Sequence, residues 1–155
     1  MKQMTYQINK QTMVLAPAKM ITYQTKIIEE NATYYTEASA KQVIDSACLR
    51  AWTTYEGRRK AVIAHTGMKR KVPIPICADE NITFFPTHAV DYYDNHWLSL
   101  EHILKVEACK NEKNLAKVIF KNGYSMLIPC TAYTIERQIE RAFECSYRMK
   151  HGITE

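Results

Sequence analysis

The chain's apolar positions fall into short runs at its start and at helical spacing soon after. Met4–Ile8, Met13–Ala16, Met20–Ile28 and Ala32–Thr36 are rich in Thr, Tyr, Ile and Val. Such residues suit a half-buried pleated surface, so each run predicts a strand. Pro17 and the Glu29–Glu30–Asn31 cluster separate them. From Ser39 to Trp52 the spacing changes. Val43, Ile44, Ala47, Cys48, Ala51 and Trp52 form one helical stripe. Ser39 with Gln42 makes a capping box at its start, and Gly57 is its expected stop.

Strand signals return at Ile74–Ala78 and Ile82–Phe85, bounded by Pro73, Pro75 and Pro86. The polar and aromatic segment His88–His96 predicts a surface loop. His102–Cys109, Leu115–Lys121 and Tyr124–Ile128 predict a meander with a tight turn at Asn122–Gly123. A two-residue turn would leave both faces mixed. A three-residue turn with a left-handed Gly123 pairs Phe120 with Tyr124 and Val118 with Met126. It gathers Ala116, Val118, Phe120, Tyr124, Met126 and Ile128 on one face, so the bulged turn is expected. After Pro129, residues 131–149 predict a helix, with Ile135, Ile139, Ala142, Phe143 and Ser146 on its apolar side. Its other side alternates charge, which marks a solvated face.

The expected architecture is therefore α+β, a strand-rich single domain over residues 1–155 with an internal helix at about 39–52 and a C-terminal helix at about 131–149. Hydrophobic residues at 46% supply a real core and exclude global disorder. The uncharged run Tyr124–Ile135 is shorter than the roughly 18 apolar residues of a membrane span. No apolar leader is visible in the first ten residues. Five widely spaced cysteines read as reduced thiols and suggest a cytoplasmic protein.

Charge changes the picture only when it is located. The net +5 arises from 21 Lys and Arg against 16 Asp and Glu. Between Gly57 and Ala78 stand Arg58, Arg59, Lys60, Lys69, Arg70 and Lys71 with no acidic residue, so the remainder has 15 basic and 16 acidic residues. The two clusters flank a strand-like run, Ala61–Ala64, and a turn at Gly67. A β-ribbon would bring both clusters together as a phosphate-binding surface. Other chemistry lacks its signature. No Cys-x-x-Cys pair exists, so no metal site and no cofactor is expected. His88, His96 and His102 stand apart in sequence. Asp91, Asp94 and Glu101 read as carboxylates of a wet loop, and no Gly-rich phosphate loop is present. No catalytic residue is assigned. The adjacent pairs Tyr34–Tyr35, Phe84–Phe85 and Tyr92–Tyr93 can each turn one ring outward, as a single-strand binder needs.

At the basic window the sequence resembles the competence transcription factor ComK family of Gram-positive bacteria. Tyr55-Glu56-Gly57-Arg58-Arg59 is similar to the family's Tyr-x-Gly-basic-basic step, and Lys71, Pro73 and Ile74 to its Lys-Pro-Pro-Ile step. Phe84-Phe85-Pro86-Thr87 resembles its Phe-Pro-Thr segment. Trp97, Leu98 and Ile103 resemble its Trp-centred strand. Phe120, Asn122–Gly123, Leu127 and Pro129 resemble the run ahead of its final helix, where Gln138 and Arg141 also fit. The ordered series spans about residues 41–149. The chain departs from the pattern in its added cations Lys60, Lys69 and Arg70, and it reads as a short member lacking the usual C-terminal tail.

The resemblance implies a non-enzymatic activator that binds paired AT-rich boxes of double-stranded DNA from the minor-groove side and switches on DNA-uptake genes. It implies a homodimer or dimer of dimers in the cytoplasm, associated with the nucleoid, with RNA polymerase and a Clp-protease adaptor as partners and no membrane. Carried over residue by residue, Arg58, Arg59 and Lys71 contact DNA; Lys60, Lys69 and Arg70 join them on charge clustering alone. The residues by themselves leave two alternatives open, a nucleic-acid module without sequence preference and an adaptor for an acidic protein.

Overall fold

A computed structural model describes residues 6–153. The chain runs β1 (Thr12–Pro17), β2 (Thr25–Glu29), β3 (Thr33–Thr36), α1 (Ala40–Arg50), α2 (Tyr55–Thr66), β4 (Ile74–Cys77), β5 (Ile82–Pro86), β6 (Trp97–Ser99), a 3-10 turn (Leu100–His102), β7 (Ile103–Cys109), β8 (Glu112–Phe120), β9 (Ser125–Ile128) and α3 (Ala132–His151). The expected α+β architecture is present, with three helices rather than two among the described residues. The strand expected at Met4–Ile8 lies partly outside them, and its described part is irregular.

Two antiparallel sheets are formed. The larger has the order β3-β2-β1-β6-β5-β4 and the smaller the order β7-β8-β9. The larger sheet is covered on both faces. Leu15, Ile27, Phe84 and Trp97 join Val43, Ile44, Ala47 and Tyr55 of the α1–α2 layer in one core. Their chain neighbours Val14, Ile28, Phe85 and Leu98 join Val118, Phe120, Ile128 and Ile135 in a second core, beneath the small sheet and α3. Successive side chains of a strand point to opposite faces, so each adjacent apolar pair serves both cores. Phe84 and Phe85 are consequently both fully buried, and neither ring is available for stacking.

The meander forms in the expected register. Val118 pairs with Met126 and Ala116 with Ile128. Phe120 N–H donates to the Tyr124 carbonyl at 2.8 Å, and Gly123 has φ 92°. A left-handed glycine in a three-residue loop is what the bulged turn requires.

Two readings of the basic window are corrected. Ala61–Ala64 is not a strand but part of α2, and no β-ribbon forms there. Gly57 does not stop α1; it lies in the first turn of α2, and α1 ends at Arg50, with Ala51 as its C-cap and Trp52 left-handed at φ 67°. Thr54 caps α2 by accepting from Gly57 N–H, and a left-handed Gly67 closes it. The window hides its helix because only Tyr55 and Val62 are buried on it, too few to show a stripe. A third correction concerns α3. Its buried residues are Ile135, Gln138, Ala142 and Cys145, while Phe143 is 63% exposed. The apolar seam follows steps of three and four through a glutamine and a cysteine.

Because the sheet is buried on both sides, Phe84→Ala and Phe85→Ala should each destabilise the protein by about 3–5 kcal/mol in urea unfolding. Tolerance of either change would show that one face of β5 is open.

Candidate nucleic-acid interface

The cations of the window are distributed around α2. Its first turns hold Arg58, Arg59 and Lys60, and the loop after Gly67 holds Lys69, Arg70 and Lys71. Although a helix separates the two clusters, the loop folds back, and Arg59 meets Lys69, Arg70 and Lys71 in one open cleft of about 880 Å³. Lys41 of α1 joins them, so five cations face two carboxylates, Glu56 and Asp91. Glu56 is taken by Arg59 at 2.8 Å, an exposed pair worth little to stability.

Helix ends reinforce this charge. Thr131 and Thr134 at the start of α3 line the cleft, as do Tyr55 and Glu56 at the start of α2. Helix N-termini carry partial positive charge and attract anions. The opposite wall is the loop after β5, with His88 and Tyr92 stacked at 5.3 Å. His88 Nε2–H donates to the Pro129 carbonyl at 2.9 Å, and His88 N–H donates to Asn95 Oδ1 at 3.0 Å, so this wall is braced.

Lys71 owes its position to main-chain anchoring. It is left-handed at φ 47°. Its carbonyl accepts from Gln138 Nε2 at 2.9 Å, and the same amide donates to the Pro86 carbonyl at 2.7 Å. Arg141 Nη2 donates to the Arg70 carbonyl at 2.6 Å, and its Nη1 donates to Gln138 Oε1. Two α3 side chains thus hold the backbone of the basic loop without engaging its side chains. The seam below is a small apolar cluster of Val62, Val72 and Cys145 joining α2 to α3.

The remaining cations stand elsewhere. Lys60 is exposed on α2 and lines no part of the cleft. Arg58 turns to the other side of the helix, into a hollow of about 210 Å³ beside Cys145, Arg148 and Met149. Its Nη1 approaches Met149 Sδ at 3.6 Å, and its buried Nε–H finds no acceptor among the described residues. Gly57 is required by close approach. A Cβ there would lie 2.7 Å from Thr53 Oγ1 and 3.1 Å from Thr54 Oγ1, displacing the hydroxyl that caps α2. Tyr55 is buried edge-on against Trp97 at 6.2 Å.

The chemistry-bearing residues are engaged in structure. His96 Nδ1–H donates to the Asp94 carbonyl at 2.7 Å, and burial lowers its pKa. His102 Nε2–H donates to the Lys10 carbonyl at 2.7 Å. Glu101, raised by burial, accepts from Thr83 N–H at 3.0 Å, and Asp94 pairs with Lys19 at 2.6 Å. Cys130, on the cleft wall, is pushed up to about 11 by burial, with Lys71 pulling the other way. It is a thiol rather than a nucleophilic thiolate at neutral pH. No group of three or more His, Cys, Asp or Glu side chains is placed to hold a metal among the described residues. No described helix is long and apolar enough to cross a membrane.

The protein-family model described as ComK protein matches residues 3–154. The chain belongs to the ComK family. It is also similar to the competence transcription factor of Bacillus subtilis (strain 168), with 27% identity over 138 residues, covering 88% of this chain and 71% of that protein. No solved structure gives a significant match. The ComK-like positions singled out in the sequence have structural reasons here. Tyr55 fills the core, Gly57 makes room for a cap, Lys71 reaches the cleft, and Gln138 with Arg141 holds the basic loop. Sequence reasoning missed Lys41 and the start of α3 as parts of the same cleft. No local signal links residues 41, 59, 69–71 and 131, which only the fold assembles.

Replacing Gln138 by Ala removes the donor to the Pro86 carbonyl and leaves that of Lys71 with Arg141 at 3.4 Å. The expected cost is about 1–3 kcal/mol in chemical unfolding, with faster amide hydrogen exchange over residues 69–72.

Proposed function

We propose that this protein is a DNA-binding transcriptional activator whose cleft takes one phosphodiester strand of an AT-rich duplex. The observation that carries the reading is the convergence of Lys41, Arg59, Lys69, Arg70 and Lys71 with the N-terminal ends of α2 and α3 in a chain of the ComK family. Backbone phosphates are bound by such surfaces through counterion release, and these contacts set the position of the protein on the duplex.

Sequence preference comes from another source. The minor groove offers a degenerate code, so A·T preference rests on groove width and deformability. Phosphate contacts therefore fall to the five cleft cations Lys41, Arg59, Lys69, Arg70 and Lys71, with Lys60 outside the cleft and Arg58 across α2 adding only weaker, outer attraction. The target genes are those of DNA uptake, as the name of the B. subtilis relative suggests. Paired boxes one helical turn apart call for a two-fold oligomer. RNA polymerase and a Clp-protease adaptor complete the proposed partners, with the nucleoid as the working place.

Arg59→Glu combined with Lys71→Glu should abolish the gel shift of an AT-rich duplex at moderate salt while leaving circular dichroism unchanged. Arg58→Glu should weaken binding less and loosen the α2–α3 contact. Unaltered affinity in the double variant would remove the cleft from the reading. Equal affinity for single strands would favour a module without sequence preference, for which the exposed rings of Tyr34, Tyr35, Tyr92 and Tyr93 are available.

Salt supplies an independent measurement. Five phosphate contacts per protomer predict a slope of log K against log salt near −4.5, falling by about 1 for each cation removed. A flat response, or no response to DNA at all, would favour an acidic protein partner instead.

A further inference from the structure

The loop between β1 and β2 projects two aliphatic side chains into water. Ile21 is fully exposed and Met20 is 52% exposed. The base of this loop is firmly held. Ala18 N–H donates to the Gln24 carbonyl at 3.0 Å, and the Tyr23 ring packs on Tyr35 at 5.8 Å. Lys19, left-handed at φ 54°, binds Asp94 at 2.6 Å and lies 6.0 Å from the Tyr93 ring centroid. Asp94 belongs to the loop after β5, whose Asp91 and Tyr92 line the basic cleft. The tip is thereby tied to the cleft wall, and the carboxylate beside it is neutralised by a lysine.

Aliphatic surface held in water gains free energy when an apolar destination is offered. Beside a surface that takes a phosphodiester strand, that destination is the face of a base pair exposed when a step opens. Minor-groove proteins kink DNA by inserting Ile, Met, Leu or Phe side chains in this way. Pyrimidine–purine steps such as TpA, frequent in AT-rich DNA, unstack most readily. Two side chains are far short of the roughly 800 Å² per partner that a stable protein interface buries, which argues against a second copy as the occupant.

We propose that Ile21, with Met20 beside it, is a wedge that enters a base step of the bound duplex and bends it. This rests on the duplex-binding reading of the cleft. The wedge would supply deformation, and hence preference for easily opened steps, where the cleft supplies only charge.

The test uses an AT-rich duplex carrying 2-aminopurine at a TpA step and a donor–acceptor dye pair at its ends. The wild-type protein should raise 2-aminopurine fluorescence severalfold and bring the ends closer. Met20→Ala/Ile21→Ala should bind about tenfold more weakly with the same salt slope, and at saturation should show neither signal. Lys105→Glu, an exposed charge change on β7 that lines no part of the cleft, should bind as the wild type does and keep both. Equal signals from the wild type and the double alanine variant would overturn the wedge, as would wild-type binding without a fluorescence rise. A double variant that changes only oligomeric state or vesicle binding would also overturn it. Failure of the wild type to bind duplex at all would overturn the cleft reading itself, and the wedge with it.

Discussion

Burial of the six-stranded sheet on both faces governs the rest of the molecule. A strand covered on one side needs an apolar residue at every second position, whereas one covered on both needs them in succession. Val14–Leu15, Ile27–Ile28, Phe84–Phe85 and Trp97–Leu98 meet that demand at the centre of the sheet. Two covers are then obligatory. The α1–α2 layer takes one face, and the small sheet with α3 takes the other. The covers touch at the β4 edge, where Val62, Val72 and Cys145 form a seam. The basic loop runs along that edge, so the position of the charge follows from how the layers close.

The electrostatics of the cleft run against local stability. Cations are unfavourable in the first turns of a helix, where the dipole is already positive. Arg58, Arg59 and Lys60 occupy that region of α2, with Glu56 as the acidic residue of the first turn. A sequence shaped only by helix stability would place carboxylates there. Of the three, only Arg59 lines the cleft, while Arg58 turns to the far side of α2 and Lys60 stands exposed outside both hollows, so the broken rule spreads positive charge around the start of α2.

Much of the architecture was legible in the chain. The capping box at Ser39 and Gln42 marked α1, and both of its hydrogen bonds form. Asn122–Gly123 together with strand alternation gave the bulged turn and its register, because a slip by one residue would have exposed the whole apolar face. The helix of the basic window was not legible. Its two buried residues lie seven apart, and β-branched Val62 and Ile63 imitate a strand. The seam of α3 was misjudged for a different reason. Gln138 is buried to satisfy two main-chain carbonyls, which hydrophobic periodicity does not register, although the family resemblance marked the position. The cleft was half legible: its cations stood out as a charge excess, but Lys41 and the α3 N-terminus reach it only through long-range packing.

Gln138 and Arg141 grip carbonyl oxygens at positions 70 and 71, and every residue type carries a carbonyl. The identity of the side chains at 69 and 70 is therefore uncoupled from the anchoring of their loop, whereas position 71, left-handed at φ 47°, stays selective for residues that tolerate that backbone. Cations at these two positions can be added, removed or exchanged with little penalty in foldedness, so the surface charge of the loop is adjustable separately from its shape.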